Sequence, residues 1–115
     1  MDKELELDLA TPGATALELT FALLNGRVLA GESPLAAALR ALCVGPRRVL
    51  GMHGGSIAVG QPADLVLLDR AAEWTVTPES LASRGKNTPF LGGTLTGRPV
   101  LTIRGGVVTF DRSKT

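Results

Sequence analysis

The sequence predicts an α-then-β chain, with two or three helices before Gly51 and four or five short strands after it. Three observations carry this. Apolar residues recur at helical spacing up to Gly51. Beyond it, short β-branched runs alternate with turn residues. Near the C-terminus two such runs flank Arg104-Gly105-Gly106, where glycines supply the positive φ of a tight hairpin. This order fits either an α+β domain or the junction of two domains of a larger protein. The helices are Ala- and Leu-rich yet too few to enclose a core of their own, which the second alternative explains.

Taken in order, the first helix is expected just after Pro12-Gly13, with Leu17, Phe21, Leu24 and Val28 as one apolar stripe. Ser33 followed by Pro34 announces a second helix, Ser33 as N-cap and Pro34 at the first helical position. Its stripe is Leu35, Leu39 and Leu42, with alanines between them. "GPRRVLGM" reads as a third short helix, with Pro46 at its start and Gly51 ending it. "HGGSIAVGQPADLVLLD" then alternates turns with strand-like runs. "DLVLLD" is a continuous apolar run between aspartates, as in a strand covered on both faces. "EWTVT" follows, then an irregular stretch around Asn87-Thr88-Pro89. Last comes the hairpin of Val100–Ile103 with Val107–Phe110.

At 115 residues the chain has room for one core. Hydrophobic residues make up 44% and charged residues 20%, a globular rather than disordered composition. With Trp74, three Phe and no Tyr, that core must be built from Leu, Val, Ile and Ala. The net charge of +1, and basic residues scattered apart from Arg47-Arg48, give no nucleic-acid footprint. No apolar run reaches a membrane span, and "MDKELELD" is the opposite of a signal peptide. The single Cys43 cannot form an internal disulfide. A soluble cytoplasmic protein that binds neither membrane nor nucleic acid is expected.

The side chains offer little chemistry of their own. His53 is the one histidine and sits among Gly51, Gly54 and Gly55, so it reads as an exposed loop residue rather than a metal ligand. Cys43, on the apolar side of the second helix, reads as an inert core thiol. Asp64 and Asp69 bracket "LVLL", point to opposite faces of a strand, and read as acceptors for backbone N–H groups in turns. Glu18, near the start of the first helix, suits the helix dipole, and a structural role is favoured for it. "GGSIAVG" and "FLGGTLTG" lack the Lys-Ser/Thr of a phosphate loop and read as turns. In "ATPGATALE" the N–H groups of Gly13 and Ala14 could face an anion, although Pro-Gly alone is an ordinary turn into a helix.

Several stretches together, in order along nearly the whole chain, resemble one family. "GSIAVGQPADLVLLD" is similar to the strand pair near the C-terminus of amidohydrolase-superfamily enzymes. "SRGKNTPFLGGTLTGRPVLTIRGGVV" resembles the tail of dihydroorotases, with its Ser-x-x-x-Asn-Thr-Pro-Phe followed by Thr-Ile-x-x-Gly. "DKELELDLATPGATALELTFALL" is similar to the segment after that family's last histidine motif, where Pro-Gly leads into a helix reading Gly-Leu-Glu-Thr. "GPRRVLGM" resembles its Asn-Pro-x-x-Ile-x-Gly-Leu helix. The chain departs from these patterns at Ala16 for Gly, Leu19 for Thr and Gly45 for Asn.

The resemblance implies an α/β parent, a (β/α)8 barrel plus a β-sandwich built from both chain ends. Residues 1–51 would be the helical C-terminal end of the barrel and residues 52–115 the C-terminal part of the sandwich. It implies zinc-dependent interconversion of L-dihydroorotate and N-carbamoyl-L-aspartate in pyrimidine biosynthesis. The family's zinc ligands and catalytic aspartate would lie before Met1, so the segment alone would be inactive and hold no zinc. What carries over is substrate contact at Pro12 and Gly13, together with Glu18 in the place of the family's glutamate. Implied partners are the rest of its own barrel, a second copy in a homo-oligomer, and aspartate carbamoyltransferase. The alternatives are an allantoinase or hydantoinase, a non-catalytic scaffold for that transferase, and an unrelated free-standing β-domain. Exposed apolar helix surface is expected of the isolated chain.

Overall fold

A computed structural model describes residues 14–114. A 3-10 turn, Leu17–Leu19, leads into helix α1, Thr20–Leu29. Helix α2, Leu35–Leu39, runs through a π turn, Arg40–Val44, into helix α3, Gly45–Leu50, without leaving the right-handed helical region. The strands are β1, Leu65–Thr75; β2, Thr94–Arg104; and β3, Val107–Asp111. They form a three-stranded antiparallel meander in the order β1-β2-β3.

The expected second and third helices are thus one interrupted helix, and Pro46 explains the interruption. Proline has no N–H to give the carbonyl four residues back, and its ring crowds that carbonyl. The turn widens ahead of it, so that Gly45 N–H reaches Arg40 O, five residues back. A Cβ at Gly45 would lie 3.3 Å from Arg40 O, so a side chain there would crowd that turn. Ser33 does not cap α2: the N-cap is Pro34, with no side-chain hydrogen bond. At the other end Gly51 takes a left-handed φ of 68°, while its N–H reaches Arg48 O and that of Met52 reaches Arg47 O. That is the Schellman ending expected of a glycine just past a helix.

In the strand half the hairpin forms as expected, with Gly105 and Gly106 at φ 56° and 81° between Arg104 and its partner Val107. Asp64 Oδ1 accepts from Gly105 N–H at 2.8 Å, and Ala63 O from Gly106 N–H. "DLVLLD" and "EWTVT" prove to be parts of one strand, β1, and residues 51–64 form no strand. Gly54, Gly55 and Gly60 hold positive φ there and keep the segment in turns. Among the described residues the strands therefore number three, below the four or five expected.

Helix and sheet meet at a joint built around Asn25. Asp69 pairs with Arg98 and Glu73 with Thr96, so Arg70, Ala71 and Ala72 bulge opposite Gly97 alone. Asp69 Oδ1 closes the bulge by accepting from Ala71 and Ala72 N–H, the turn role expected of it, inside the strand instead of at its end. The bulge leaves Arg70 O for Asn25, whose amide donates to Arg70 O at 3.0 Å and Thr96 O at 2.8 Å. Asn25 is fully buried, as a polar group can be only when its hydrogen bonds are made. Gly97 lets the helix approach: at φ 105°, a Cβ there would lie 2.7 Å from Asn25 Nδ2. Trp74 Nε1 donates to Gly97 O, and the Arg98 guanidinium stacks over the Trp74 ring at 5.1 Å.

The apolar core beside this joint is small: Leu19, Val76 and Leu81, flanked by Leu23, Trp74 and Leu95. Helix α1 buries Ala22 and Asn25, and Leu19 before it, rather than the expected stripe. Leu17 stays 87% exposed, and Phe21, Leu24 and Val28 are half-buried. The sheet selects the face with small and amide side chains because those allow backbone approach. Leu29, Leu39, Val49 and Leu50 remain exposed, as expected of helices belonging to a larger body.

Candidate functional site

After β1 the chain drops Val76 into the core and makes a tight turn. Thr77 Oγ1 accepts from Ser80 N–H, and Ser80 Oγ accepts from Thr77 N–H, a reciprocal capping box. Leu81 returns to the core. The excursion is closed at its neck by Val76 N–H to Gly93 O at 2.9 Å and Gly92 N–H to Val76 O at 2.7 Å. Its tip, residues 82–88, is the irregular part of the sequence tail.

That tip is tied to the beginning of the first helix. One carboxylate oxygen of Glu18 accepts from Ala82 N–H at 2.9 Å. The other accepts from Ser83 N–H at 2.8 Å and Ser83 Oγ at 2.5 Å. Thr15 N–H donates to Asn87 O at 2.5 Å. Gly85 faces Thr15 so closely that a Cβ would lie 2.8 Å from Thr15 Oγ1. Lys86 Nζ donates to Leu81 O, Thr88 Oγ1 accepts from Phe90 N–H, and Thr88 is buried. Residues 15–18 and 82–88 are therefore a single clamp made chiefly of backbone groups and one carboxylate.

The expected structural role of Glu18 holds, but its partner differs. The carboxylate reaches across to residues 82 and 83 because a 3-10 turn, not the α-helix itself, carries it. Burial alone would raise its pKa. The hydrogen bonds from Ser83 Oγ and from the Ala82 and Ser83 N–H groups, with the Lys86 charge nearby, outweigh that, so the carboxyl lies below its ordinary 4.5. A lowered pKa means the clamp's ionic contribution is complete above the unfolded value and lost as pH falls through the folded one. Urea denaturation is accordingly expected to show Glu18→Gln less stable than the unaltered protein by a constant margin above about pH 5.5. The margin should shrink as pH falls below 4.5.

Pro12 and Gly13, the expected substrate contacts, lie outside the described residues. Two residues beyond them, Thr15 enters the clamp directly. His53 is exposed in the loop after Gly51, as expected. Cys43 is exposed rather than in the core, because it sits in the π turn whose residues are all outside the buried set. Among the described residues no three His, Cys, Asp or Glu side chains converge, so these residues do not fit a zinc site. No described helix is long and apolar enough to cross a membrane. Sequence reading missed Ser83, Asn87 and Thr15, whose polar groups meet Glu18 or one another only across long sequence separations. It also missed Asn25, where an amide following the apolar run Phe21–Leu24 was the available signal.

Comparison with known proteins places this geometry. The profile of the amidohydrolase family matches residues 14–110. A dihydroorotase of Anaeromyxobacter dehalogenans is 42% identical over 114 residues, which is 99% of this chain and 26% of that protein. One from Bacillus caldolyticus is 35% identical over 98% of this chain and 27% of that protein. The chain thus spans about a quarter of the length of the curated relatives it matches. Among solved structures, the L-hydantoinase (dihydropyrimidinase) of Arthrobacter aurescens superposes with a TM-score of 0.83 at 30% identity, over 93% of this chain and 24% of that one. A D-hydantoinase superposes with a TM-score of 0.82 at 26% identity, over 90% of this chain and 23% of that one.

Proposed function

The chain belongs to the amidohydrolase family, and we propose that it is the C-terminal part of a dihydroorotase. The observation that carries the reading is 42% identity to a dihydroorotase along 99% of the chain. In this reading residues 1–51 end the (β/α)8 barrel and residues 52–115 belong to the β-sandwich. Pro12 and Gly13 touch the dihydroorotate ring or its carboxylate, and the clamp holds the chain that leaves them. Zinc, which supplies an activated water when bound in such enzymes, belongs to residues of the whole protein other than the described ones. The enzyme is cytoplasmic, acts in pyrimidine biosynthesis and assembles as a homo-oligomer.

This segment then contributes binding and support, and none of its described residues moves a proton. Glu18 is saturated by donors and its pKa is lowered, the opposite of what a general base near neutral pH requires. The test is growth. In a bacterial strain lacking its own dihydroorotase, the full-length protein is expected to restore growth without added pyrimidine, and the 115-residue chain alone is not. Failure of the well-expressed full-length protein would favour a non-catalytic scaffold, and rescue by the chain alone would overturn the division of labour.

A further inference from the structure

We propose that Asn25-Gly26 is a modification site: a deamidation site that the packing of α1 on the sheet keeps closed and that opening of this joint exposes. Asn25 is one of two asparagines in the sequence and the one followed by glycine, whereas Asn87 precedes the β-branched Thr88. In the reaction the Gly26 backbone nitrogen attacks Asn25 Cγ. An N–Cγ bond forms, the Cγ–Nδ2 bond breaks, and Nδ2 leaves as ammonia with the proton that the attacking nitrogen gives up. Water then opens the cyclic imide at either carbonyl, leaving an aspartate or an isoaspartate at position 25. A glycine nitrogen is the least hindered backbone nucleophile because no Cβ stands beside it. The branched Cβ of Thr88 crowds the nitrogen after Asn87.

The fold withholds each requirement of that reaction. Gly26 lies inside α1, where a backbone N–H is committed to the carbonyl four residues back and a helical ψ at Asn25 keeps its Cγ from the next nitrogen. Asn25 is 1% exposed, so the water that opens the imide is excluded. Nδ2, the leaving atom, donates to Arg70 O and Thr96 O, and Oδ1 accepts from Arg70 Nε. Gly26, by contrast, has no packing task. It is exposed, it is not among the glycines with positive φ, and a Cβ on it would meet nothing within 4 Å. Alanine is the better helix former there, so the glycine can be exchanged without disturbing the joint.

Modification also destroys the contact that prevented it. Loss of Nδ2 removes the donor to both carbonyls, and an isoaspartate adds a methylene to the backbone of α1. A chain converted while open no longer re-forms the joint, so the site records opening irreversibly.

Peptide mapping of the full-length protein at mildly alkaline pH, in native buffer and in urea, tests this. In urea, conversion at Asn25 is expected to run about tenfold or more faster than at Asn87, and Gly26→Ala to slow it about tenfold or more. In native buffer the rate at Asn25 is expected to fall about a hundredfold or more below that in urea, because only opened molecules react. After prolonged unfolding, converted chains are expected in the fraction that fails to refold, and Gly26→Ala is expected to preserve the refolding yield. The comparison in urea stays decisive even if Gly26→Ala folds poorly. Equal conversion at Asn25 and Asn87 in urea, or no slowing by Gly26→Ala, overturns the site. Equal rates in native buffer and in urea overturn its protection by the fold. Converted chains recovered among the refolded molecules overturn the irreversible record.

Discussion

Asn25→Asp is expected to lose roughly 3–5 kcal/mol of stability at neutral pH, because a buried charge would be left against two carbonyl oxygens. The side chain is fully buried and its amide donates to Arg70 O and Thr96 O. A carboxylate of the same shape keeps the contact distances but turns both attractions into repulsions. Arg70 Nε, which donates to Asn25 Oδ1 at 3.3 Å, offsets only part of this from its long range and exposed position. The introduced carboxyl would titrate well above its unfolded value, since only its protonated form can donate to a carbonyl. A raised folded pKa makes the deficit smallest in acid and largest as pH rises through that pKa. Asn25→Ala, which removes the amide donor from both carbonyls, is expected to lose about 2–4 kcal/mol with little pH dependence. Denaturant titrations of the full-length protein at pH 5 and pH 8 distinguish the two variants. An Asn25→Asp protein as stable as the unaltered one at pH 8 would show that the amide does not join α1 to the sheet.

The parts legible in the sequence were those decided within a few residues. Gly51 ends a helix and Gly105-Gly106 turn a hairpin because only a glycine takes those φ values without strain, so the residue type announces the geometry. Asp64 and Asp69 were readable as turn acceptors for the same local reason, although Asp64 serves the distant Gly105. Less legible was whatever tertiary contact decides. The face of α1 that is buried is the one carrying Ala22 and Asn25, because the bulge opposite Gly97 lets backbone approach backbone there. Nothing in the spacing of Leu17, Phe21, Leu24 and Val28 reveals that. In sequence Pro46 reads as the start of a new helix, whereas a π turn accommodates it within a running one. The glycines of "GGSIAVG" read as turns and are turns, whereas the strand-like runs expected within "HGGSIAVGQPADLVLLD" form strand only from Leu65 onward. Glu18 was recognised as structural, while its partners, Ala82 and Ser83, follow only from the fold.

The same separation between local and tertiary information explains how function was read. The order of motifs along the chain pointed to an enzyme class, since such motifs are strings of turn and packing residues. The clamp, the Glu18 carboxylate holding the distant residues 82 and 83, is visible only when residues 18 and 83 are seen together. Solved structures that superpose well include hydantoinases, and the sequence relatives include dihydroorotases. Substrate choice is thus the point at which the two kinds of likeness diverge.

Turnover by the full-length protein resolves that divergence most directly. With its metal bound, it is expected to hydrolyse L-dihydroorotate and to close N-carbamoyl-L-aspartate. Its kcat/KM for dihydroorotate should exceed those for hydantoin, dihydrouracil and allantoin by about 100-fold or more, because a site built to pair the ring carboxylate is left unpaired by substrates lacking it. A preference for hydantoin, dihydrouracil or allantoin over dihydroorotate would contradict the account.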